Sequence, residues 1–270
     1  MKTKLNILAT TLGLLTLTLT TWAQSEGDFT VPLSDPAKRA KIIVDVNYGS
    51  ITVSGTARKD ILVKYSNEDE GHQHQSNTKG GLKKIGSGTM DLEVSENANS
   101  VRIESSSWNK KVNLSVEVPS GVDLVLKGYN DSDLKVSNIQ GQLELTSYNG
   151  EIGAENISGS VVASTYNGDI KVTFDKITDG TPMSYSTYNG DIDLTFPSTI
   201  KASLKMKTEQ GEIYSDFDVN LIKSGPIQKK DTKSGTYKVV IDEWVKGDIN
   251  GGGPEFSMKN YNGDILIRKK

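Results

Sequence analysis

The chain has 270 residues, 31 Lys and Arg against 34 Asp and Glu, a formal net charge of −3, and no cysteine. The missing cysteine excludes zinc-finger, thiol-redox, disulfide-framework and lipid-anchored readings. The slightly acidic balance excludes a non-specific nucleic-acid binder, which needs a basic face. With 35% hydrophobic and 24% charged residues, the composition fits neither a disordered chain nor a multi-span membrane protein.

The first 23 residues have the layout of a secretory signal peptide. Lys2 and Lys4 precede an uncharged, Leu-rich run over 5–21, and Thr21 and Ala23 sit at positions −3 and −1 of a cleavage site before Gln24. The run is short of the ~20 residues that span a bilayer, and no later stretch approaches that length. The mature chain is therefore expected to be exported to the periplasm, cell surface or exterior, without a transmembrane segment. It reads as a single domain, 24–270, whose oligomeric state the pattern leaves open.

Residues 24–40, with Pro32 and Pro36, read as an N-terminal cap. Residues 41–65 read as a first coil, with Ile42, Val44 and Val46 before a corner at Gly49 and Ile51 and Val53 after it. A polar stretch of about 66–90 has no periodicity and reads as an exposed loop. Strand patterning returns over 91–128, is clearest over 129–215, loosens at about 216–236, and closes the chain over 237–270. Arg268, Lys269 and Lys270 follow the last strand, a charge cluster that would discourage edge-to-edge growth.

The dominant feature is an internal repeat. Tyr148-Asn149-Gly150-Glu151-Ile152, Tyr166-Asn167-Gly168-Asp169-Ile170, Tyr188-Asn189-Gly190-Asp191-Ile192 and Tyr261-Asn262-Gly263-Asp264-Ile265 are near copies. Degenerate copies centre on Gly49, Gly211 and Gly247, and Tyr129-Asn130-Asp131 resembles another. Glycine-to-glycine steps are 18 from Gly150, 22 from Gly168, 21 from Gly190, 36 from Gly211 and 16 from Gly247. Apolar residues alternate on both sides of each motif, as in Leu143 and Leu145, or Ile170, Val172 and Phe174, which is the period of half-buried strands.

Such a pattern predicts an all-β fold, a parallel β-solenoid with coils of about 18–22 residues turning at Asn-Gly corners. Both residues of the pair tolerate positive φ, so an Asn-Gly hairpin in a sandwich or meander is the alternative. Recurrence of Tyr, Asn and Gly together favours stacking. Gly150, Gly168, Gly190, Gly211 and Gly263 are the expected structural corners, and Gly141, Gly159 and Gly180 mark second turns.

Candidate chemistry is sparse. His72 and His74, beside Glu68, Asp69 and Glu70, are competent ligand types, but a Gly- and Gln-rich loop holds no geometry, so no metal and no cofactor is expected. Glu151, Asp169, Asp191 and Glu212 form an outward carboxylate column at rung spacing; calcium binding is thinkable, yet the tandem calcium-binding nonapeptide is absent. Paired carboxylates also suggest a polysaccharide-active enzyme, but a motif present in every coil marks out no acid and base. No catalytic residue is assigned. Tyr148, Tyr166 and Tyr188 face outward by parity. Stacking alone would justify them, and they are also the candidate ligand-binding stripe, for a glycan or a surface protein. Tyr129 would extend the stripe, and Glu209, one coil after Tyr188 in the sequence, would interrupt it.

An exported chain, strand-only repeats, Tyr-Asn-Gly-Asp-Ile corners and Gly251-Gly252-Gly253-Pro254 before the last copy together resemble the bacterial putative-adhesin families of β-strand-repeat proteins. The resemblance spans roughly 41–270. It implies a β-solenoid of unknown function and supplies no catalytic residues. The expected role is a non-enzymatic envelope or surface binding module; the alternatives are a polysaccharide-active β-helix enzyme or an envelope-stress or structural partner protein.

Overall fold

The computed structural model describes residues 25–68, 91–222 and 244–270, together with the backbone of the short strands Thr78–Lys79, Leu82–Lys83, Ile227–Lys230 and Tyr237–Val240. The expected signal peptide 1–23, His72 and His74, and residues 223–226 and 231–236 of the stretch expected to loosen lie outside the described residues. Among those described there is no helix, and twenty strands join in one mixed sheet.

Each motif divides a leading strand from a trailing one, and the two sets build two ladders. The leading ladder runs Ser100–Ser105, Lys41–Tyr48, Asp123–Asn130, Gln142–Ser147, the end of Ile152–Ser164, Met183–Ser186, Glu255–Lys259 and Ala202–Lys207. Every pairing in this series is parallel. The trailing ladder, also parallel throughout, runs Lys111–Pro119, Ile51–Thr56, Leu134–Ser137, the start of Ile152–Ser164, Ile170–Ile177, Ile192–Phe196, Ile265–Lys269 and Ile213–Ser215. The architecture is all-β and solenoid-like, with the core between the two ladders.

Register keeps like residues together. In the trailing ladder Ile51, Leu134, Ile152, Ile170, Ile192, Ile265 and Ile213 are successive partners, and all but Ile213 are at most 1% exposed. β-Branched side chains are stiff at χ1 and pack well on a pleated surface, so isoleucine serves every one of these rungs except that of Leu134. In the leading ladder small Ala163 is the direct partner of large Tyr185, so volume is shared between rungs. Phe174 and Phe196 stack at 5.2 Å, and Phe196 meets Phe256 at 5.4 Å across the core.

Spatial order departs from chain order at both ends. The coil 255–269 lies between the coils 183–196 and 202–215, so the last motif in the sequence is not the last in the stack. The expectation that Glu209 follows Tyr188 is corrected: Tyr261 takes that place. Likewise the coil 41–56 is not outermost, because 100–119 stacks outside it. Arg268 and Lys269 are on an inner strand rather than an edge, and Arg268 donates from Nε to Asp193 Oδ1 at 2.7 Å. Gly247 is no corner either; it lies inside Val245–Ile249, which runs antiparallel to Ala202–Lys207 and to Val219–Ile222.

Antiparallel strands close both ends of the stack. Ile61–Glu68 pairs with Lys111–Pro119, and Ser25–Val31 pairs with Ile61–Glu68, so residues 66–68, expected in the exposed loop, belong to a paired strand. Glu93–Asn97 covers Ser100–Ser105 in the leading ladder.

Candidate functional site: the tyrosine ladder and its groove

The corner residues form parallel columns along the stack, each held by its own chemistry. Glycine comes first. A Cβ on Gly168 would lie 2.2 Å from the carbonyl oxygen of Gly150, one on Gly190 2.2 Å from that of Gly168, and one on Gly263 2.3 Å from that of Gly190. Gly150 and Gly211 meet the backbone of Ser132 and Gly263 just as closely. Close approach of neighbouring rungs therefore demands glycine at all five expected corners. Positive φ adds to this at Gly168 (+145°), Gly190 (+143°) and Gly263 (+125°).

The asparagines have a different reason from the one expected. Asn149, Asn167, Asn189 and Asn262 are absent from the positive-φ residues. Instead their side chains form a ladder. Asn167 Nδ2 donates to Asn149 Oδ1, Asn189 Nδ2 to Asn167 Oδ1, and Asn262 Nδ2 to Asn189 Oδ1, each at 2.7 Å. Primary amides can donate and accept at once, so they chain indefinitely at rung spacing. The recurrence of Asn in every full copy of the motif was the available signal for this ladder.

The carboxylates also act within the corner. Asp133, Asp169, Asp191 and Asp264 accept backbone N–H bonds from Glu151, Asp191, Asp264 and Glu212 respectively, at 2.8–3.0 Å. Each thus ties one rung to the next. Among the described residues no group of three or more His, Asp or Glu side chains could hold a metal ion. Just before Tyr148, Tyr166 and Tyr188 a buried hydroxyl donates to a corner carbonyl one rung away, Ser147 to Ser132, Thr165 to Gly150 and Thr187 to Gly168. Half-buried Thr208, before Glu209, donates to Gly263 in the same way, and before Tyr261 the place is taken by Asn260.

On this frame stand the tyrosines. Tyr148, Tyr166, Tyr188 and Tyr261 stack with ring centroids 5.1, 4.9 and 4.8 Å apart and planes within 5° of parallel. Sequence reading found the first three and missed Tyr261, because the coil bearing it is inserted from far along the chain. Tyr129 does not lengthen the parallel stack; it packs against Trp108 at 5.8 Å with planes tilted by 55°. The four stacked rings remain 39–51% exposed. Since their faces meet each other, their edges and hydroxyls form the outer surface.

A groove of about 470 Å³ runs beside the ladder. Its other wall is the outward face of the leading strands, where Thr146, Ser164, Ser186 and Lys259 are successive register partners. Glu209 lies at the end beyond Tyr261 and pairs with Lys207 at 2.8 Å.

An all-β stack of parallel rungs with an ordered corner defines a class of repetitive, solenoid-like scaffold. The Toastrack DUF4097 family model matches residues 18–250, and the chain belongs to that family. In structure it is similar to a putative cell adhesion protein from Clostridium sporogenes, with 13% identity over 92% of this chain and 100% of the other, and a TM-score of 0.51. A putative adhesin from Bacteroides fragilis has 12% identity over 93% of this chain and 98% of its own, with a TM-score of 0.41. No curated protein matches the chain. Among the described residues no helix is long and apolar enough to cross a membrane.

Proposed function

We propose that the protein is an exported, non-enzymatic binding module of the cell envelope or surface, and that it engages a glycan through the tyrosine ladder and its groove. The observation that carries this reading is the stack of Tyr148, Tyr166, Tyr188 and Tyr261, four half-exposed aromatic rings lining one groove. Ordered aromatic surface with polar tips is enriched at recognition sites. The non-catalytic part of the reading rests on equivalence. Asp169, Asp191 and Asp264 make the same backbone hydrogen bond in successive rungs, so their environments do not separate an acid from a base. A surface protein as ligand is the second reading, since exposed tyrosine is also enriched at protein interfaces.

The test is a double variant, Tyr166→Ala with Tyr188→Ala, compared with the native protein on a glycan array and on immobilised envelope proteins. Circular dichroism establishes that the variant keeps its β-structure. Loss of glycan binding is the expected result. Glycan binding that survives the double substitution overturns the assignment of the site.

A further inference from the structure

Resting on the reading of the ladder as a glycan site, we infer that its ligand is an uncharged, ribbon-like β-1,4-linked glycan lying along the stack axis, about one sugar per rung. The argument begins with periodicity. Each of three successive rungs presents one tyrosine edge and one Ser or Thr hydroxyl, as Tyr148 with Thr146, Tyr166 with Ser164 and Tyr188 with Ser186. Tyr261 with Lys259 adds a fourth rung. A periodic site is matched by a ligand of the same axial advance. Alternate sugars of a β-1,4 ribbon are turned over, so like contacts recur at every second rung, the rungs between meet the opposite sugar edge, and weak contacts add.

Spacing selects among polymers. The tyrosine centroids repeat every 4.8–5.1 Å. Equatorial β-1,4 linkages give a flat ribbon that advances one pyranose in close to this distance. An extended peptide advances only about 3.3 Å per residue, so it drifts out of step within two rungs. A peptide strand paired with the sheet is also excluded here, because these rungs have ladder partners on both sides.

Charge and hydrogen bonding select among glycans. The charged residues lining the groove are one cation and one anion, Lys259 and Glu209, both at the same end, so the groove carries no net charge for a polyanion or polycation. Asp169, Asp191 and Asp264 beyond the corner further disfavour an anionic polymer. Hydroxyls of Ser, Thr and Tyr both donate and accept, which suits sugar hydroxyls. The tyrosine faces are already stacked on one another, so an interior ring cannot take a sugar on its face. Recognition would run through ring edges and phenol hydroxyls, aimed at sugar oxygens.

Calorimetric titration of the purified protein with cellohexaose and chitohexaose, against cellobiose, chitobiose and maltohexaose, tests this. Expected is binding of at least one β-1,4 hexamer about tenfold or more tighter than its dimer and than α-linked maltohexaose. Tyr166→Phe with Tyr188→Phe keeps the stack and removes two hydroxyls; Ser164→Ala with Ser186→Ala removes two from the opposite wall. Each pair should weaken the hexamer about tenfold with an unchanged melting temperature. Equal affinity for dimer and hexamer, equal affinity for maltohexaose, hexamer binding indifferent to both pairs, or no hexamer binding overturns the inference. If linear hexamers fail while the array shows a short or branched glycan lost in the Tyr→Ala double variant, only the ligand class falls. Array binding untouched by that variant removes the site as well.

Discussion

Asn260 occupies the place that Thr165 and Thr187 hold in neighbouring rungs, and it fills that place poorly. Its Nδ2 reaches the Gly190 carbonyl at 3.3 Å, while its Oδ1 is buried without a hydrogen-bond partner. A threonine would make the short bond seen in the other rungs, at 2.9–3.0 Å, and leave no orphan acceptor. Asn260→Thr is therefore expected to raise stability by about 1 kcal/mol, measured by chemical denaturation; a loss would contradict the hydroxyl-column argument. Tyr185 is the complementary case. It is fully buried, its hydroxyl meets Met183 Sδ at 3.3 Å, and burial pushes its phenol well above the ordinary value, so it stays neutral. A thioether is a weak acceptor. Tyr185→Phe should leave stability unchanged or raise it by up to about 1 kcal/mol, and a clear drop would show that the hydroxyl matters to packing.

At the scale of the element, corner and turn glycines look alike in sequence and differ in structure. Gly168→Ala would press a Cβ into the Gly150 carbonyl at a φ that L-residues avoid, and should cost about 2–4 kcal/mol. Gly121 has nothing within 4 Å and no positive φ, so Gly121→Ala should be neutral or stabilise by about 0.5 kcal/mol. Paired melting curves of the two variants decide the matter. The end strand Glu93–Asn97 is held differently, through Glu96. Its carboxylate accepts from the Ser34 hydroxyl at 2.9 Å and from the backbone N–H groups of Ser34 at 3.1 Å and Asn99 at 2.9 Å, bonds that hold it below its ordinary value of 4.5. A carboxyl depressed in the folded state stabilises above its unfolded value and loses that contribution as pH falls through the folded one. The melting temperature of Glu96→Gln should lie below that of the native protein at neutral pH, with the gap closing below pH 4.5. A gap that persists in acid would assign the effect to packing instead.

For the molecule as a whole, the decisive feature is the insertion of the coil 255–269 between 183–196 and 202–215. Ile192 pairs with Ile265, which is 73 positions away, so the stack closes by a long-range step made after the earlier coils have been synthesised. The coil 255–269 is flanked by parallel strands on both sides. Amide hydrogen exchange across 255–267 should therefore be as slow as across 183–196. Fast exchange there would mean that the coil docks only loosely.

Period-2 alternation, the near-twenty-residue steps and the Tyr-Asn-Gly recurrence were local signals, so the all-β solenoid-like class, the five corner glycines and the outward tyrosines were legible in the chain itself. Each depends on what a residue and its immediate neighbours can do in a strand or a corner. The neighbour of each rung is a different question, because every coil carries the same hydrogen-bonding edge and the same apolar columns. Local pattern is therefore degenerate for stacking order. Only three-dimensional closure put Tyr261 beside Tyr188, moved Glu209 to the end of the ladder, and placed Arg268 against Asp193 on an inner strand. The same closure gave asparagine its role, since an amide ladder exists only once the rungs are in register.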